Sequence, residues 1–216
     1  MTEQLSPVRF STEEFAKLKS LLVVCEWGQR TLLTKLNIIY EDFKTFQENN
    51  PIESIRGRIK TPESIARKLQ KMNVDITADN ARKNLKDIAG IRIICSYAKD
   101  IFQLADILQS MPDIKILDEK DYVSRPKPSG YRSYHVIVEV PVFYAGKTEN
   151  VAVEVQIRTE GMNFWSTLEH KVRYKYQEHI PQHLCDELVV CADKIADLDD
   201  RMYLIHEIIS LINQDF

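Results

Sequence analysis

Between Tyr131 and Arg158 the sequence leaves the chain little freedom. Tyr134, Val136, Val138 and Val140 alternate with Ser133, His135, Ile137 and Glu139, and Val151 to Arg158 alternates in the same way. A two-residue period over such runs is the pattern of strands with one apolar face. Ala145-Gly-Lys-Thr-Glu-Asn150 lies between them and reads as a hairpin turn. The apolar face of this hairpin has to be covered, and helical patterns on both sides of it can supply the cover.

Both ends of the chain read as long helices. Ser11-Thr-Glu-Glu14 has the form of a capping box. After it Phe15, Leu18, Leu22, Cys25, Leu32, Leu36, Ile39, Phe43 and Phe46 recur at steps of three and four, with Gln29 as the one polar member of the series. Near the other end Pro181 suits a first helical turn. Leu184, Leu188, Cys191, Ile195, Leu198, Met202, Ile205, Ile209 and Ile212 then keep a heptad seam. Two readings stand side by side for these helices. Both pack on the core, or at least one also forms an oligomer interface.

The stretch between them predicts an α/β body. Thr61-Pro62 opens a helix to about Asn73, and Thr77 caps a shorter one. Ile88 to Tyr97 is β-rich, Asp100 to Met111 is helical, Ile114 to Leu117 is a short strand, and Phe164 to Tyr176 is a helix. Helices and strands in this order predict an α+β chain with a mixed sheet. We read residues 1–216 as a single domain, with an N-terminal helical region at 11–50, an α/β core at 51–178 and a C-terminal helix at 181–213.

Composition removes several classes of protein. With 44% hydrophobic and 28% charged residues and a net charge of −3, the chain is of ordinary globular make-up. Its longest apolar run, Leu21 to Cys25, is far short of the ~20 residues of a membrane span. The start lacks the basic and apolar regions of a signal peptide. Cys25, Cys95, Cys185 and Cys191 form no C-x-x-C pair and sit in apolar periodic segments, which predicts reduced core thiols and a cytoplasmic location. Six glycines form neither G-x-x-x-x-G-K-[ST] nor G-x-G-x-x-G. Bound phosphate would therefore be held by Arg and Lys side chains.

Charge is concentrated where such a role needs it. Segment 56–71 holds Arg56, Arg58, Lys60, Arg67, Lys68 and Lys71 against Glu63 alone, whereas 182–216 is strongly acidic. Arg58 and Lys60 alternate on an extended approach to the Thr61-Pro62 helix start. Ser64, Lys68 and Lys71 form one stripe of that helix. From charge alone a polyphosphate clamp, an RNA-backbone patch and a solvated face are equally good readings.

Two carboxylates bear on these readings, although the polar face of the strand at 151–158, taken alone, reads equally well as plain surface. Glu154, Gln156 and Arg158 share the polar face of a strand whose other face is apolar, and Asp87 directly precedes the run Ile88-Ala-Gly-Ile-Arg-Ile-Ile94. Two carboxylates from strand ends of one sheet can share Mg²⁺, which takes one or two of them plus substrate phosphates. Arg92, inside that apolar run, needs a partner anion. Pro126 to Ser133 is a turn feeding a strand, and it brings Lys127 and Tyr131 to one mouth. A Tyr there can stack a base beside a Lys that meets phosphate, or simply pack on the sheet edge. Asn163, Thr167, His170 and Tyr174 share one face of the 164–176 helix, while Trp165, Leu168, Val172 and Tyr176 form its packing face.

Four blocks in this order resemble the small alarmone synthetases, single-domain relatives of the Rel-type (p)ppGpp synthetases. They are Arg58-x-Lys60-x-x-x-Ser64-x-x-x-Lys68, Asp87-Ile-Ala-Gly-Ile-Arg92, Lys127-Pro-Ser-Gly-Tyr-Arg-Ser-Tyr-His135, and Glu154-Val-Gln-Ile-Arg-Thr159 followed by Asn163-Phe-Trp. The resemblance implies a nucleotidyltransferase-like fold with a mixed sheet of about five strands and flanking helices. It also implies Mg²⁺-dependent pyrophosphate transfer from ATP to the 3′-hydroxyl of GTP or GDP. Arg58, Lys60, Ser64, Lys68, Lys71 and Arg92 would then bind ATP, and Asp87 and Glu154 would hold the metal. Glu154 would take the 3′-hydroxyl proton. Tyr131 would stack on guanine, Asn163 would read its edge, Lys127 and His135 would meet the acceptor's phosphates, and Gln156 would support that site. The implied partners are ATP and GTP or GDP, further copies of the chain in a homotetramer, and an alarmone or single-stranded RNA as regulator, with no membrane. Ser129, Lys71 and Tyr134 stand where relatives often carry Asn, Arg and Leu. No His-Asp pair of the alarmone hydrolase kind is present. The rival reading is a non-catalytic RNA-binding regulator.

Overall fold

The computed structural model describes residues 10–47, 49–175 and 180–214, and the side chains of 173–175 and 213–214 are outside that description. In chain order its elements are α1 (Thr12–Phe46), β1 (Ile52–Ile59), α2 (Pro62–Lys71), α3 (Ala78–Asn84), β2 (Ala89–Cys95) and α4 (Ala98–Ser110). There follow β3 (Lys115–Asp121), β4 (Tyr134–Tyr144), β5 (Lys147–Thr159), α5 (Glu160–Lys175) and α6 (Gln182–Gln214). The five strands form one sheet in the order β1-β2-β5-β4-β3. Only β2 and β5 run parallel, so the sheet is mixed as expected.

The hairpin forms where the alternation puts it. Val136, Val138, Val153, Val155 and Ile157 are fully buried on one sheet face. Helix α1 lies across β1, β2, β4 and β5 on that side and adds Leu18, Leu32 and Leu36, each no more than 1% exposed. Gly28 permits this approach, because a Cβ there would stand 2.6 Å from Val151 Cβ. Gln29, the polar member of the α1 series, is buried and donates from Nε2 to the Gly90 carbonyl at 2.8 Å.

Four local expectations need correction. The extended approach at Arg58 and Lys60 is the end of a full edge strand, β1, paired antiparallel to β2 with an irregularity between Ile52 and Ser54. The N-terminal helix stops at Phe46, with extended Gln47 as its cap. The downstream Pro51 also keeps the residue before it out of the helical region. The capping box is half made: Ser11 Oγ accepts the Glu14 N–H, but the Glu14 carboxylate accepts instead from the Ala78 N–H at 2.8 Å, at the start of α3. Strand β3 runs to Asp121 rather than Leu117, as a mostly exposed edge strand.

The last helix docks along one stripe. Trp165 Nε1 donates to the Leu188 carbonyl at 2.8 Å, and Arg132 pairs with Asp193 at 2.9 Å. Thr159 Oγ1 donates to Asp199, Lys99 bonds the Tyr203 hydroxyl, and His206 stacks on Tyr97 with centroids 4.8 Å apart. The heptad seam lies on a neighbouring face, and Leu198, Met202, Ile205, Ile209 and Ile212 remain 49–56% exposed. Two further corrections follow from this docking. Cys25 and Cys95 are buried thiols, but Cys191 is exposed and Cys185 half-buried, because their side of α6 turns from the body. On α5, Trp165 is buried under α6, while Leu168, expected on the packing face, is 42% exposed. Tyr174 and Tyr176 lie outside the described side chains. Among the described residues no helix is long and apolar enough to cross a membrane.

Candidate active site

Strand register builds the site. Arg56, Arg92, Gln156 and His135 are successive partners across β1, β2, β5 and β4, and Arg58, Gly90 and Glu154 form the adjacent row. These positions are on the sheet face opposite the buried valines. All of them but His135 line a cavity of about 410 Å³ together with Lys60 and Asp87, and His135 stands behind Glu154. Gly90 leaves the floor open between Arg58 and Glu154.

One part of the site is organised around Asp87. Lys60 and Lys68 both donate to its Oδ2, Lys68 at 2.6 Å, so the edge strand and α2 are pinned to one carboxylate. Burial pushes the Asp87 carboxyl up, but these two ammonium groups outweigh it and hold the group below its ordinary value. Arg92 donates from Nη1 to Asn163 Oδ1 at 3.3 Å, and its buried Nε has no partner. Three of the six residues expected to bind ATP are outside the cavity lining, although Lys68 reaches its edge through Asp87. Ser64 bonds with Thr61 at the start of α2, and Lys71 is exposed at the last residue of that helix. Asn163, expected to read an acceptor base, is here the partner of Arg92 and lines a 120 Å³ side cavity with Arg56 and Glu160.

The other part of the site is organised around Glu154. Its Oε1 faces His135 Nδ1 at 3.1 Å, and its Oε2 accepts from Gln156 Nε2 at 2.9 Å. Burial pushes the Glu154 carboxyl up, but the bonds from His135 and Gln156 outweigh it and keep the group below its ordinary value. The acid is thus ionised at neutral pH and has lone pairs left for a further proton donor. His135 Nε2 meets the Tyr131 hydroxyl at 2.8 Å. The Pro126–Ser133 turn closes through Gly130 N–H to the Lys127 carbonyl, 2.8 Å, with Gly130 at φ +85°. That left-handed conformation favours glycine, and the turn sets the Lys127 ammonium 4.9 Å from the Tyr131 ring centroid.

Three neighbours were not singled out as site residues by the sequence pattern. Tyr122 packs edge-on to Tyr131 and His135 and carries Lys127 at 4.5 Å, yet it follows a polar strand that gives no periodic signal. Arg56 lines the cavity two residues before Arg58, and its parity with Arg58 was legible. Arg158 shares the face of Glu154 and Gln156, but its bonds to Tyr131 and Gln156 depend on the fold.

The donor atoms suit a hard divalent cation. Asp87 and Glu154 line the same cavity, and Asp87 Oδ1 is buried without a hydrogen-bond partner. Mg²⁺ takes one or two carboxylates and completes its shell with water and phosphate oxygens, so this pair fits it. Among the described residues no group of three or more His, Cys, Asp or Glu could form an all-protein metal site.

With this geometry in place, comparison with known proteins is decisive. Residues 57–179 match the family model of the region found in RelA / SpoT proteins. The chain belongs to the RelA/SpoT family. Within that family it is 41% identical over 184 residues to the Bacillus subtilis GTP pyrophosphokinase YwaC, covering 85% of this chain and 88% of that one. It is 36% identical over 199 residues to the GTP pyrophosphokinase YjbM of the same organism, covering 92% and 84%. Among solved structures, small alarmone synthetase 1 from Bacillus subtilis bound to its product pppGpp superposes with a TM-score of 0.83 at 33% identity, over 89% of this chain and 97% of that one. The RelA/SpoT match begins at Gly57, within β1, and runs past β5, so it contains every cavity residue except Arg56.

Proposed function

We propose that this chain is an alarmone synthetase, transferring the β,γ-pyrophosphoryl group of ATP to the 3′-hydroxyl of GTP or GDP and releasing AMP. The observation that carries the reading is one cavity lined by Arg58, Lys60, Arg92 and the two carboxylates Asp87 and Glu154, with His135, Tyr131 and Lys127 following from Glu154 through successive contacts. Its support from kinship is the likeness to GTP pyrophosphokinases and to a synthetase bound to pppGpp.

In this reaction the 3′-oxygen forms a bond to the β-phosphorus of ATP, and the bond from that phosphorus to the α,β-bridging oxygen breaks. The bridging oxygen leaves with AMP. The 3′-hydroxyl proton goes to Glu154, which is ionised and has free lone pairs. Arg58, Lys60, Lys68 and Arg92 offset the charge of the donor's phosphates, and most of the remaining work is positioning. Lys60 and Lys68 are held by Asp87 before substrate arrives. Phosphate oxygens compete for those ammonium groups, so donor binding releases the carboxylate. The Tyr131 ring offers a face for guanine, and Lys127 meets the acceptor's phosphates.

Asp87 and Glu154 are the residues that would hold Mg²⁺, which supplies charge neutralisation at the phosphoryl oxygens when bound. The exposed Ile205 and Ile209 side of α6 is the proposed contact of a homotetramer, and we place the enzyme in the cytoplasm, with an alarmone or single-stranded RNA as its regulator. An RNA-binding reading uses the basic segment but gives no role to Asp87 and Glu154 inside it.

The test is incubation with terminally labelled ATP, GTP and Mg²⁺, followed by nucleotide chromatography. Label moving from ATP to a pppGpp-sized product, with AMP formed in equal amount, is the expected result. Salt-sensitive RNA binding without turnover would overturn it.

A further inference from the structure

Arg158 on β5 is 3% exposed, and no carboxylate among the described residues pairs with it. A buried charge without a counter-ion is costly, so its hydrogen bonds carry information about why it is there. Nε donates to Ser133 Oγ at 3.2 Å and Nη1 to Ser166 Oγ at 3.0 Å. Nη2 divides between two acceptors, the Tyr131 hydroxyl at 2.6 Å and Gln156 Oε1 at 2.8 Å. All four acceptors are neutral.

The divided bond sets two directions at once. Gln156 must turn its carbonyl oxygen to the guanidinium, which leaves its Nε2 to donate to Glu154 Oε2. The Tyr131 oxygen accepts from Arg158, which leaves its own proton to be donated to His135 Nε2, 2.8 Å away, when that nitrogen is the unprotonated one. A neutral imidazole that accepts at Nε2 carries its proton on Nδ1, and Nδ1 faces Glu154 Oε1. Two hydrogen-bond chains with a common origin therefore end as donors on the two oxygens of one carboxylate.

We infer that Arg158 is a positioning residue for the reaction, fixing the Glu154 carboxylate through Tyr131–His135 on one oxygen and Gln156 on the other. Arg158 is not among the residues that line the cavity. The kinetic part of this inference rests on the proposed function, while the hydrogen-bond part stands on the free protein. Removing Arg158 lets the Tyr131 hydroxyl and the Gln156 amide rotate, so Glu154 loses its single orientation.

The test uses Arg158→Met, Arg158→Lys and Tyr131→Phe in the full chain, with far-UV circular dichroism to check folding. Arg158→Met is expected to lower kcat by roughly 10- to 100-fold, the scale of a misplaced reacting group, while KM for ATP changes by less than about twofold. Tyr131→Phe keeps the ring and cuts one chain, and about tenfold is expected in kcat, with Arg158→Lys recovering part of the loss. Because both act on one path, the double variant should fall well short of the product of the single effects. If Arg158→Met does not fold, Tyr131→Phe tests the same chain. Independently of turnover, the His135 Nδ1 proton should give a slowly exchanging downfield resonance in nucleotide-free wild type that is lost in Arg158→Met and Tyr131→Phe. A resonance that persists in both variants, fully multiplicative kinetics, or unchanged kcat would overturn the inference. Failure of wild type to make product would overturn the proposed function and leave the resonance to judge Arg158.

Discussion

Gln29 at the middle of α1 donates to the carbonyl of Gly90, the residue that lies between Arg58 and Glu154 on the cavity floor. One buried amide thus ties the longest helix to the strand that carries the site. Gln29→Leu keeps the volume and removes the donor, which should cost about 1–3 kcal/mol because a buried polar partner is left bare. Denaturant unfolding measures it, and a midpoint equal to wild type would contradict the role given to Gln29.

Glu154→Gln should reduce transfer by at least roughly 10²-fold, since the amide cannot take the 3′-hydroxyl proton. Calorimetric binding of ATP and of GTP should survive. Retained synthesis would remove Glu154 as the base.

Tyr131→Ala should raise KM for GTP far more than KM for ATP. The ring is bordered by Lys127 and Arg158, so its loss also loosens the Lys127 ammonium proposed to meet the acceptor's phosphates. Steady-state kinetics with each substrate varied separately give the two values. Equal changes in both would count against stacking.

How much of this was legible beforehand depends on the range of the interaction. The hairpin of β4 and β5 declares itself because both of its faces obey a local period, and the faces of Glu154 and Gln156 follow from parity alone. Strand β1 does not declare itself. It is an edge strand with an irregularity at Ile52 and Ser54, and Arg56 and Arg58 point to the cavity, so its apolar side amounts to Ile55, Gly57 and Ile59. The donor block also reads as one helical stripe, yet only Lys68 of Ser64, Lys68 and Lys71 reaches Asp87. Where a lysine's far end goes depends on what a distant strand offers it. For the same reason Gln29 stood out in its helical series without its partner, and Tyr122 and the divided bond of Arg158 were invisible, since the sheet alone brings these groups together.

Asp199 offers a stability test with a definite sign. Burial pushes its carboxyl up, against the hydrogen bond from Thr159. The native state therefore keeps this proton to a higher pH than the unfolded chain does. Stability from this group is greatest below the unfolded value of ~3.9 and declines as pH rises through the raised native value. Asp199→Asn removes the charge, so its gain over wild type should be absent in acid, grow through that window and then stay level. Chemical unfolding at a series of pH values checks this, and a gain confined to acid would refute it.

Ile205→Glu with Ile209→Glu should lower the particle mass in light scattering while far-UV circular dichroism stays near wild type, because both side chains are about half exposed in the single chain. Unchanged mass would move the oligomer contact elsewhere.

Strand order has one more consequence. The strand that carries Glu154 is inserted between β2 and β4, although it is the last of the five to be synthesised. Until Thr159 has left the ribosome, β2 has no inner neighbour and Asp87 has no companion acid. A chain that ends before β5 therefore lacks both the centre of its sheet and the Glu154 wall of its cavity.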